Sequence, residues 1–204
     1  MTQPAEPAQP AQPSEAAQTP GERRTQEALA ASGIAFEIVR HGPVRSLAEA
    51  AAARGVAPSQ VIKTIVVRRG EGDFLFVLVP GDRTIAWPRL RSLLGVSRLS
   101  MPDKEVAREV TGYERGTITP FGSLTAWPVV ADSRIPEAGP VSVGGGGHGV
   151  SATVDGAALV HALDARVADI TDLDDPGGGP PGTTSSGSTG PADRPDATRL
   201  DESA

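Results

Sequence analysis

The sequence predicts an α+β fold in which helices surround a mixed, curved and barrel-like β-sheet. Short runs of β-branched and apolar residues recur along the chain and are separated by turns that contain glycine. Residues 61–67 and 74–80 flank the turn sequence RRGEGD, which is typical of a β-hairpin. Segments with helix-end signals lie between the strands, without the regular β-α-β alternation that a fully parallel sheet requires.

The helices are predicted from the residues at their ends. A helix over RRTQEALAAS is closed by Gly33. Ser46 and Glu49 form a capping-box pattern ahead of an alanine-rich helix that Gly55 ends. Three more helices are expected over residues 87–95, 101–112 and 156–163. Strands are expected over residues 34–39, 61–67, 74–80, 128–132, 141–143, 150–154 and 167–170.

The chain of 204 residues carries a net charge of -6, and this charge is concentrated at its ends. The segment 21–171 contains 17 Lys and Arg against 16 Asp and Glu, whereas residues 172–204 contain seven acids and two arginines. We expect a disordered Pro/Ala/Gln-rich tail over residues 1–20, one domain over 21–171, and a disordered acidic Gly/Pro/Ser-rich tail over 172–204.

Composition excludes several kinds of chemistry. The absence of cysteine excludes disulfides, thiolate nucleophiles and cysteine-ligated zinc. The three histidines, His41, His148 and His161, show no metal-ligand spacing, so we expect neither a metal nor a cofactor. No signal-peptide pattern and no apolar run of membrane-spanning length is present, which predicts a cytoplasmic protein without a membrane partner.

Lys63 lies in the middle of an apolar strand. Because side chains alternate along a strand, it shares a face with three apolar residues, Val61, Ile65 and Val67. One interpretation is that its stem lies along the sheet while its ammonium reaches the rim. The other is functional. The segment 21–171 uses 15 arginines and only two lysines, so a compact ammonium here is a candidate to hold a phosphate or stabilise an oxyanion.

A segment rich in glycine and threonine, TGYERGTITPFG, spans residues 111–122. One interpretation is a structured connection between a helix and a strand. The other is a loop whose backbone N–H groups face a ligand, its path set by glycine freedom and proline rigidity.

A run of glycines, VGGGGHGVS, spans residues 143–151. A dinucleotide-binding fingerprint lies between a strand and a helix, whereas these glycines precede another predicted strand. We therefore interpret the run as a hairpin turn. The alternative is a ligand that approaches the bare backbone closely.

Four motifs occur in a fixed order: VIKTIVV, FVLVPGD, TGYERGTITPFG and VVAD. Together they resemble the YbaK/EbsC family of aminoacyl-tRNA deacylases, which is related to the editing domain of bacterial prolyl-tRNA synthetases. The resemblance runs from about Thr25 to Ile170. The fold that it implies is a mixed α/β structure around a curved, barrel-like sheet, which agrees with the pattern of elements.

The resemblance also implies roles for particular residues. Lys63 matches the family's strand lysine, which we take as the catalytic residue. The family's G-x-x-x-P loop matches the five residues Gly116, Thr117, Ile118, Thr119 and Pro120, which would bind the terminal adenosine and aminoacyl group. His41 stands where some members have tyrosine, and Ser151 where some have aspartate; both are candidate substrate-binding residues.

The implied activity is hydrolysis of an amino acid wrongly esterified to a tRNA. Such an ester is already activated, so hydrolysis needs a placed water and a stabilised oxyanion more than a protein nucleophile. We expect a trans-editing deacylase that binds the 3′ end of a tRNA(Pro)-type substrate, with prolyl-tRNA synthetase as a candidate partner and no DNA partner. The alternatives are a non-catalytic protein that binds tRNA ends or a small ligand, and an interaction module dominated by its acidic tail.

Overall fold

A computed structural model describes residues 18–174, and residues 1–17 and 175–204 lie outside the described part. Its helices are α1 (Pro20–Ser32), α2 (Leu47–Arg54), α3 (Trp87–Leu94), α4 (Lys104–Thr111) and α5 (Gly156–Ala162), with a 3₁₀ turn at Pro58–Gln60. Its strands are β1 (Phe36–Arg40), β2 (Ile62–Gly70), β3 (Asp73–Pro80), β4 (Arg83–Ile85), β5 (Val129–Asp132), β6 (Pro140–Gly144), β7 (Val150–Asp155), β8 (Arg166–Ala168) and β9 (Thr171–Leu173). The predicted α+β class is confirmed.

The helix ends follow the predicted signals. The Ser46 hydroxyl accepts a hydrogen bond from the Glu49 N–H at 3.1 Å, which caps the start of α2, and Gly55 ends that helix. The Glu49 carboxylate accepts from the N–H of Arg45 at 2.8 Å, so the reciprocal half of the capping box is shifted by one residue. None of the helices in residues 18–174 is long and apolar enough to cross a membrane.

The strands form three hydrogen-bonded sheets. The first is antiparallel with the order β1-β7-β6, the second is mixed with the order β2-β3-β5-β8, and the third pairs β4 with β9. Val61, just before β2, forms a parallel bridge with Ser142 of β6, which places the first two sheets side by side. Within residues 18–174 the ladders do not close into a barrel, so the barrel-like curvature stays a prediction.

Both faces of the hairpin formed by β2 and β3 carry buried apolar residues. Ile62 and Val66 pack in one apolar cluster with Phe76, whereas Val67 packs in the other cluster with Val79. This division follows the alternation of side chains along a strand. Lys63 pairs with Val79, so the lysine starts from the face that carries the second cluster.

A buried carboxylate at the end of β5 joins the distant parts of the second and third sheets. Asp132 is fully buried and accepts hydrogen bonds from the Thr171 hydroxyl at 2.7 Å and from the Arg134 side chain at 3.1 Å. The Thr171 hydroxyl in turn accepts from Arg83 Nε at 2.7 Å. These bonds fix the turn between β3 and β4, where the candidate site lies, because a buried charge that is fully hydrogen-bonded holds its partners in place.

The described domain extends slightly past the predicted range 21–171. Thr19 caps α1 through a hydrogen bond from the Glu22 N–H at 3.2 Å, and β9 continues to Leu173. Most of the two predicted tails lies outside the described residues. The division into tail, domain and tail therefore stays a proposal.

Removing residues 1–17 and 175–204 is expected to leave the melting temperature and any activity unchanged, because their composition offers little apolar surface to bury. A shorter piece, 21–171, is expected to be less stable. It lacks the Thr19 cap, whose loss costs about 1 kcal/mol, and the pairing of Leu173 with Arg83. Thermal melts of the full chain and both pieces measure this. A large drop for the longer piece would contradict the proposed boundaries.

Candidate functional site

The Lys63 side chain ends at the turn between β3 and β4. Its Nζ donates hydrogen bonds to the carbonyl oxygens of Gly81 at 2.9 Å and Arg83 at 2.5 Å. In the described part of the chain no carboxylate lies within ion-pair distance of Nζ. An ammonium has three donors, so one remains for another acceptor. The lysine thus follows the sheet to its rim, and its partners are carbonyl groups.

Burial is the main electrostatic influence on Lys63. The loss of hydration lowers the pKa of Lys63, because burial penalises the charged form of a lysine. The carboxylates of Asp174 and Asp82 raise its pKa, but by less than burial lowers it. The group therefore releases its proton more readily than an exposed lysine does.

Lys63 is expected to titrate below the usual range of lysine side chains. The folded chain then binds fewer protons than the unfolded chain between the two pKa values, so stability rises with pH across that window. NMR titration of ¹³C-labelled lysine side chains measures the pKa. Lys104 is the other lysine of the chain, so a Lys104→Arg variant assigns the signal. A Lys63 signal that titrates in the usual range would contradict this expectation.

The segment between α4 and β5 is clamped at both ends. The Tyr113 hydroxyl donates to the carbonyl of Phe121 at 2.7 Å. Arg24 of α1 donates to the carbonyls of Gly112 at 2.8 Å and Gly122 at 3.1 Å. These contacts close residues 112–122 into a defined loop rather than a mobile connection.

The middle of this loop, residues 116–120, presents backbone donors. The N–H and hydroxyl of Thr117 both donate to the carbonyl of Glu114, at 3.0 and 2.9 Å. The N–H groups of Ile118 and Thr119 have no hydrogen-bond acceptor among residues 18–174. Two adjacent donors without a protein acceptor are what the ligand-binding interpretation of the loop requires.

The loop lies against one face of the β1-β7-β6 sheet. A Cβ atom at Gly144 would stand 2.7 Å from the carbonyl oxygen of Ile118 and 3.2 Å from that of Thr117, so glycine is needed for this approach. Gly144 pairs with Ser151, and Ser151 pairs with Val39. The loop backbone therefore stands over the row of side chains to which Ser151 belongs.

Lys63 belongs to the same surface. Val61 and Ser142 are bridged in parallel, and two residues further on each strand stand Lys63 and Gly144. Because the side-chain period of a strand is two, these positions lie on one face. We call the surface formed by Lys63, Gly144 and Ser151, with the loop over it, the site face. The fold thus places Lys63, the loop and Ser151 on one side of the sheet, although no hydrogen bond links Lys63 to the other two in the described residues.

Two buried hydroxyls on the site face lack partners. Ser142 and Ser151 are fully buried, and the Oγ atom of each has no hydrogen-bond partner among the described residues. Leaving a buried hydroxyl unpaired costs about 1–3 kcal/mol. These atoms offer unused hydrogen-bonding capacity next to the loop.

His41 stands at the edge of this arrangement, just after β1. Its N–H donates to the carbonyl of Gly149 at 2.8 Å, and its Nδ1 lies 2.8 Å from the carbonyl of Gly42. Arg54 Nε donates to His41 Nε2 at 3.3 Å, so Nε2 is the accepting nitrogen of the ring in this arrangement. In the described residues His41 makes no hydrogen bond to Lys63, the loop or Ser151.

The glycine run forms the hairpin turn between β6 and β7, which confirms that interpretation. A Cβ at Gly146 would stand 2.3 Å from the Thr25 hydroxyl, and one at Gly147 would stand 2.5 Å from a Glu22 carboxylate oxygen. The close approach to bare backbone is therefore made by the N-terminal part of α1.

A cavity of about 200 Å³ adjoins the turn that holds Lys63. It is lined by seven residues that were not predicted as site residues from the sequence: Ser59, Pro80, Asp82, Arg83, Arg134, Ile135 and Ala138. The signal that could have found it was the PGD end of the motif FVLVPGD, which contributes Pro80 and Asp82. No group of three His, Asp or Glu residues within 18–174 could hold a metal ion.

A mixed sheet with a half-buried strand lysine, and a clamped loop bounded by glycine and proline, are the features to which the motifs pointed. The chain belongs to the aminoacyl-tRNA editing domain family, which it matches over residues 41–162. That range contains Lys63, the loop, His41 and Ser151. The resemblance seen in the sequence is confirmed.

Individual relatives agree with this membership. The chain is 33% identical over 111 residues to a proline–tRNA ligase of Heliobacterium modesticaldum, which covers 54% of this chain and 18% of the ligase. It is 34% identical over 92 residues to that of Moorella thermoacetica, covering 45% and 16%. The chain thus matches less than a fifth of either ligase. A crystal structure described as a candidate trans-editing enzyme for prolyl-tRNA synthetase superposes with a TM-score of 0.70 and 28% identity, covering 76% of this chain and 99% of the other.

Proposed function

We propose that this protein is a trans-editing deacylase that hydrolyses the ester of a mischarged tRNA(Pro)-type substrate. The observation that carries the proposal is Lys63, whose Nζ keeps one donor free at the rim of the sheet while a clamped loop lies over the same sheet face. The tRNA(Pro) assignment is supported by the likeness to segments of proline–tRNA ligases. The trans arrangement is supported by the likeness to the candidate trans-editing enzyme.

Hydrolysis of an aminoacyl ester needs little from the protein beyond the positioning of the ester and a water molecule. A water attacks the carbonyl carbon of the aminoacyl ester and the bond from that carbon to the ribose oxygen breaks. The ribose oxygen takes up a proton from the water and becomes a hydroxyl, and the amino acid leaves with a free carboxyl group. The negative charge that develops on the carbonyl oxygen needs donors aimed at it. In this proposal the remaining donor of Lys63 stabilises that charge, and the N–H groups of Ile118 and Thr119 bind the substrate from the loop.

The test is a deacylation panel. Purified tRNA(Pro) carrying alanine, cysteine, serine or proline is incubated with the protein, and a tRNA with a different body carrying the same amino acids serves as control. We expect faster ester loss for at least one wrong amino acid on tRNA(Pro), and none for proline. Ester loss no faster than in buffer across the panel would refute the enzymatic proposal.

A non-catalytic protein that holds tRNA ends is the second candidate. One observation favours it: two of the three Lys63 donors are already occupied by the carbonyls of Gly81 and Arg83. Tight binding of mischarged tRNA(Pro) without turnover in the same panel would select this function.

A further inference from the structure

We propose that Arg24 and Tyr113 are positioning residues for substrate binding, which hold the two ends of the loop over residues 112–122 so that its backbone donors face the substrate. Neither side chain belongs to the site face, and both act through the loop. The inference rests on the proposed function and deepens it, because it names the residues that set the position of the loop at the same site.

Arg24 of α1 joins the two ends of the loop with a single side chain. Its Nη2 donates to the carbonyl of Gly112 at 2.8 Å, and its Nε donates to the carbonyl of Gly122 at 3.1 Å. Gly112 ends α4, where the negative end of the helix dipole favours a cation. No carboxylate of the described residues lies within ion-pair distance of Arg24, so its planar fork is engaged with the loop.

Tyr113 fastens the far end of the loop from the interior. Its side chain is fully buried, and its hydroxyl donates to the carbonyl of Phe121 at 2.7 Å and lies 2.9 Å from the hydroxyl of Thr25 in α1. Burial raises the pKa of Tyr113, so the hydroxyl keeps its proton and remains a donor. The guanidinium carbon of Arg24 lies 5.0 Å from the centroid of the Tyr113 ring, so the two side chains form one unit.

The attachment of the loop to α1 is close at Gly122. This residue has a φ of +69°, and a Cβ atom there would stand 2.5 Å from the carbonyl oxygen of Arg24 and 2.9 Å from the hydroxyl of Tyr113. The end of the loop therefore packs directly on the helix backbone and takes its position from α1.

The middle of the loop has few anchors of its own. Among the described residues, Thr117 bonds back to Glu114, and the one hydrogen bond from residues 114–120 to another segment joins the exposed side chains of Glu114 and His148. An exposed pair of this kind contributes about 0–1 kcal/mol. The fastened ends, with the packing of the loop on the sheet, therefore decide where the N–H groups of Ile118 and Thr119 point.

The expected kinetic signature is a rise in KM. The loop donors bind the substrate in its ground state and in the transition state alike, and removing such binding raises KM while kcat is retained. Arg24→Gln and Tyr113→Phe are therefore each expected to raise KM for a mischarged tRNA about 10-fold, the size of one or two hydrogen bonds. A fall in kcat at unchanged KM in both variants would contradict the positioning role.

A binding experiment tests the inference without turnover. The probe is 3′-deoxy-3′-(L-alanylamido)adenosine, whose amide replaces the ester. In calorimetric titrations, both variants are expected to bind it about 10-fold more weakly than the wild type. In ¹⁵N NMR spectra, the probe is expected to shift the amide signals of Ile118 and Thr119 in the wild type, and to shift them less in the variants. Equal binding by the wild type and both variants, or no binding to the wild type, would overturn the inference.

Arg23→Gln is the matched control. Arg23 is the exposed neighbour of Arg24 on α1, and its side chain makes no hydrogen bond or ion pair in the part of the chain that the structure describes. The control removes the same charge from the same helix and is expected to bind the probe as the wild type does. If it weakens binding as Arg24→Gln does, the effect is a general attraction by positive charge and the inference is wrong.

Trp127→Phe controls for stability. Trp127 Nε1 donates to the carbonyl of Val110 at 2.9 Å, just outside the loop, so this variant also loses one bond from a side chain to a carbonyl. It is expected to lower the melting temperature without weakening probe binding. Weaker binding in proportion to its melting temperature would show that Arg24 and Tyr113 act only through stability.

The deacylation panel stays separate from these measurements. Turnover by the wild type with equal probe binding in all variants refutes only this inference. Probe binding that depends on Arg24 and Tyr113, without turnover, refutes only the enzymatic proposal.

Discussion

Lys63→Ala is expected to lower kcat/KM for deacylation of mischarged tRNA by about 100-fold or more, the cost of losing one donor to a developing oxyanion. This expectation rests on the position of Lys63. It is the single lysine of an apolar strand, and its Nζ reaches the turn beside the cavity. The substitution also leaves the carbonyls of Gly81 and Arg83 without this donor, so circular dichroism and a thermal melt must accompany the kinetics. Retained fold with lost turnover is the expected result.

The other lysine of the chain provides the control. Lys104 is exposed at the start of α4 and is paired only with its neighbour Glu105 among the described residues. Lys104→Ala is expected to keep full activity. Lys63→Met, which keeps the apolar stem and removes the donors, separates packing from hydrogen bonding. A folded Lys63→Ala variant as active as the wild type would remove Lys63 from the mechanism and leave it a structural residue of the turn.

Gly116→Val is expected to reduce kcat/KM by roughly 10- to 100-fold, because it displaces the loop that positions the substrate. Gly116 has a φ of +90°, a region that a β-branched residue rarely adopts. A Cβ there would meet nothing within 4 Å, so the cost comes from the backbone and not from crowding. The N–H groups of Ile118 and Thr119 would then point elsewhere.

Thr119→Val is the comparison for the loop. Thr119 is fully buried, and its hydroxyl has no hydrogen-bond partner among residues 18–174. The change keeps the shape of the side chain and removes only that hydroxyl, so turnover is expected to stay close to wild type. Kinetics of both variants on one mischarged tRNA decide the matter. Greater damage from Thr119→Val would show that the hydroxyl binds the substrate, and the backbone mechanism would have to be abandoned.

Elements with local signals could be predicted from the sequence. Ser46 and Gly55 bound α2 as expected, and the β2–β3 hairpin follows from its turn and its apolar runs. Strands β4 and β9 were missed. Each has three residues, and they pair Arg83 with Leu173 across most of the domain. A short strand is stabilised by its partner more than by its own residues, so its own sequence does not predict it.

The candidate site, too, could be predicted from the sequence only where the signals are local. Alternation along β2 places Lys63 on one face, and that much can be read from the sequence. The neighbour of β2 on that side is β6, joined by the Val61–Ser142 bridge, and this adjacency has no local signature. Neither the contact of the loop with Gly144 nor the cavity around Asp82 could therefore be derived before the strands were placed.

The pairing of β4 with β9 affects the stage of folding at which the candidate site can form. The turn that holds Lys63 is fastened by Arg83 to Thr171, 88 residues further along the chain. Contacts of such sequence separation carry a large loop-closure cost and tend to form late in folding. While Thr171 is still inside the ribosome, a nascent chain is therefore expected to have formed the β2–β3 hairpin. The turn that holds the Lys63 side chain would not yet be fixed. The short pairing of β4 with β9 is also expected to open before the larger sheets do. Loss of activity on heating is therefore expected to precede loss of the β2-β3-β5-β8 sheet.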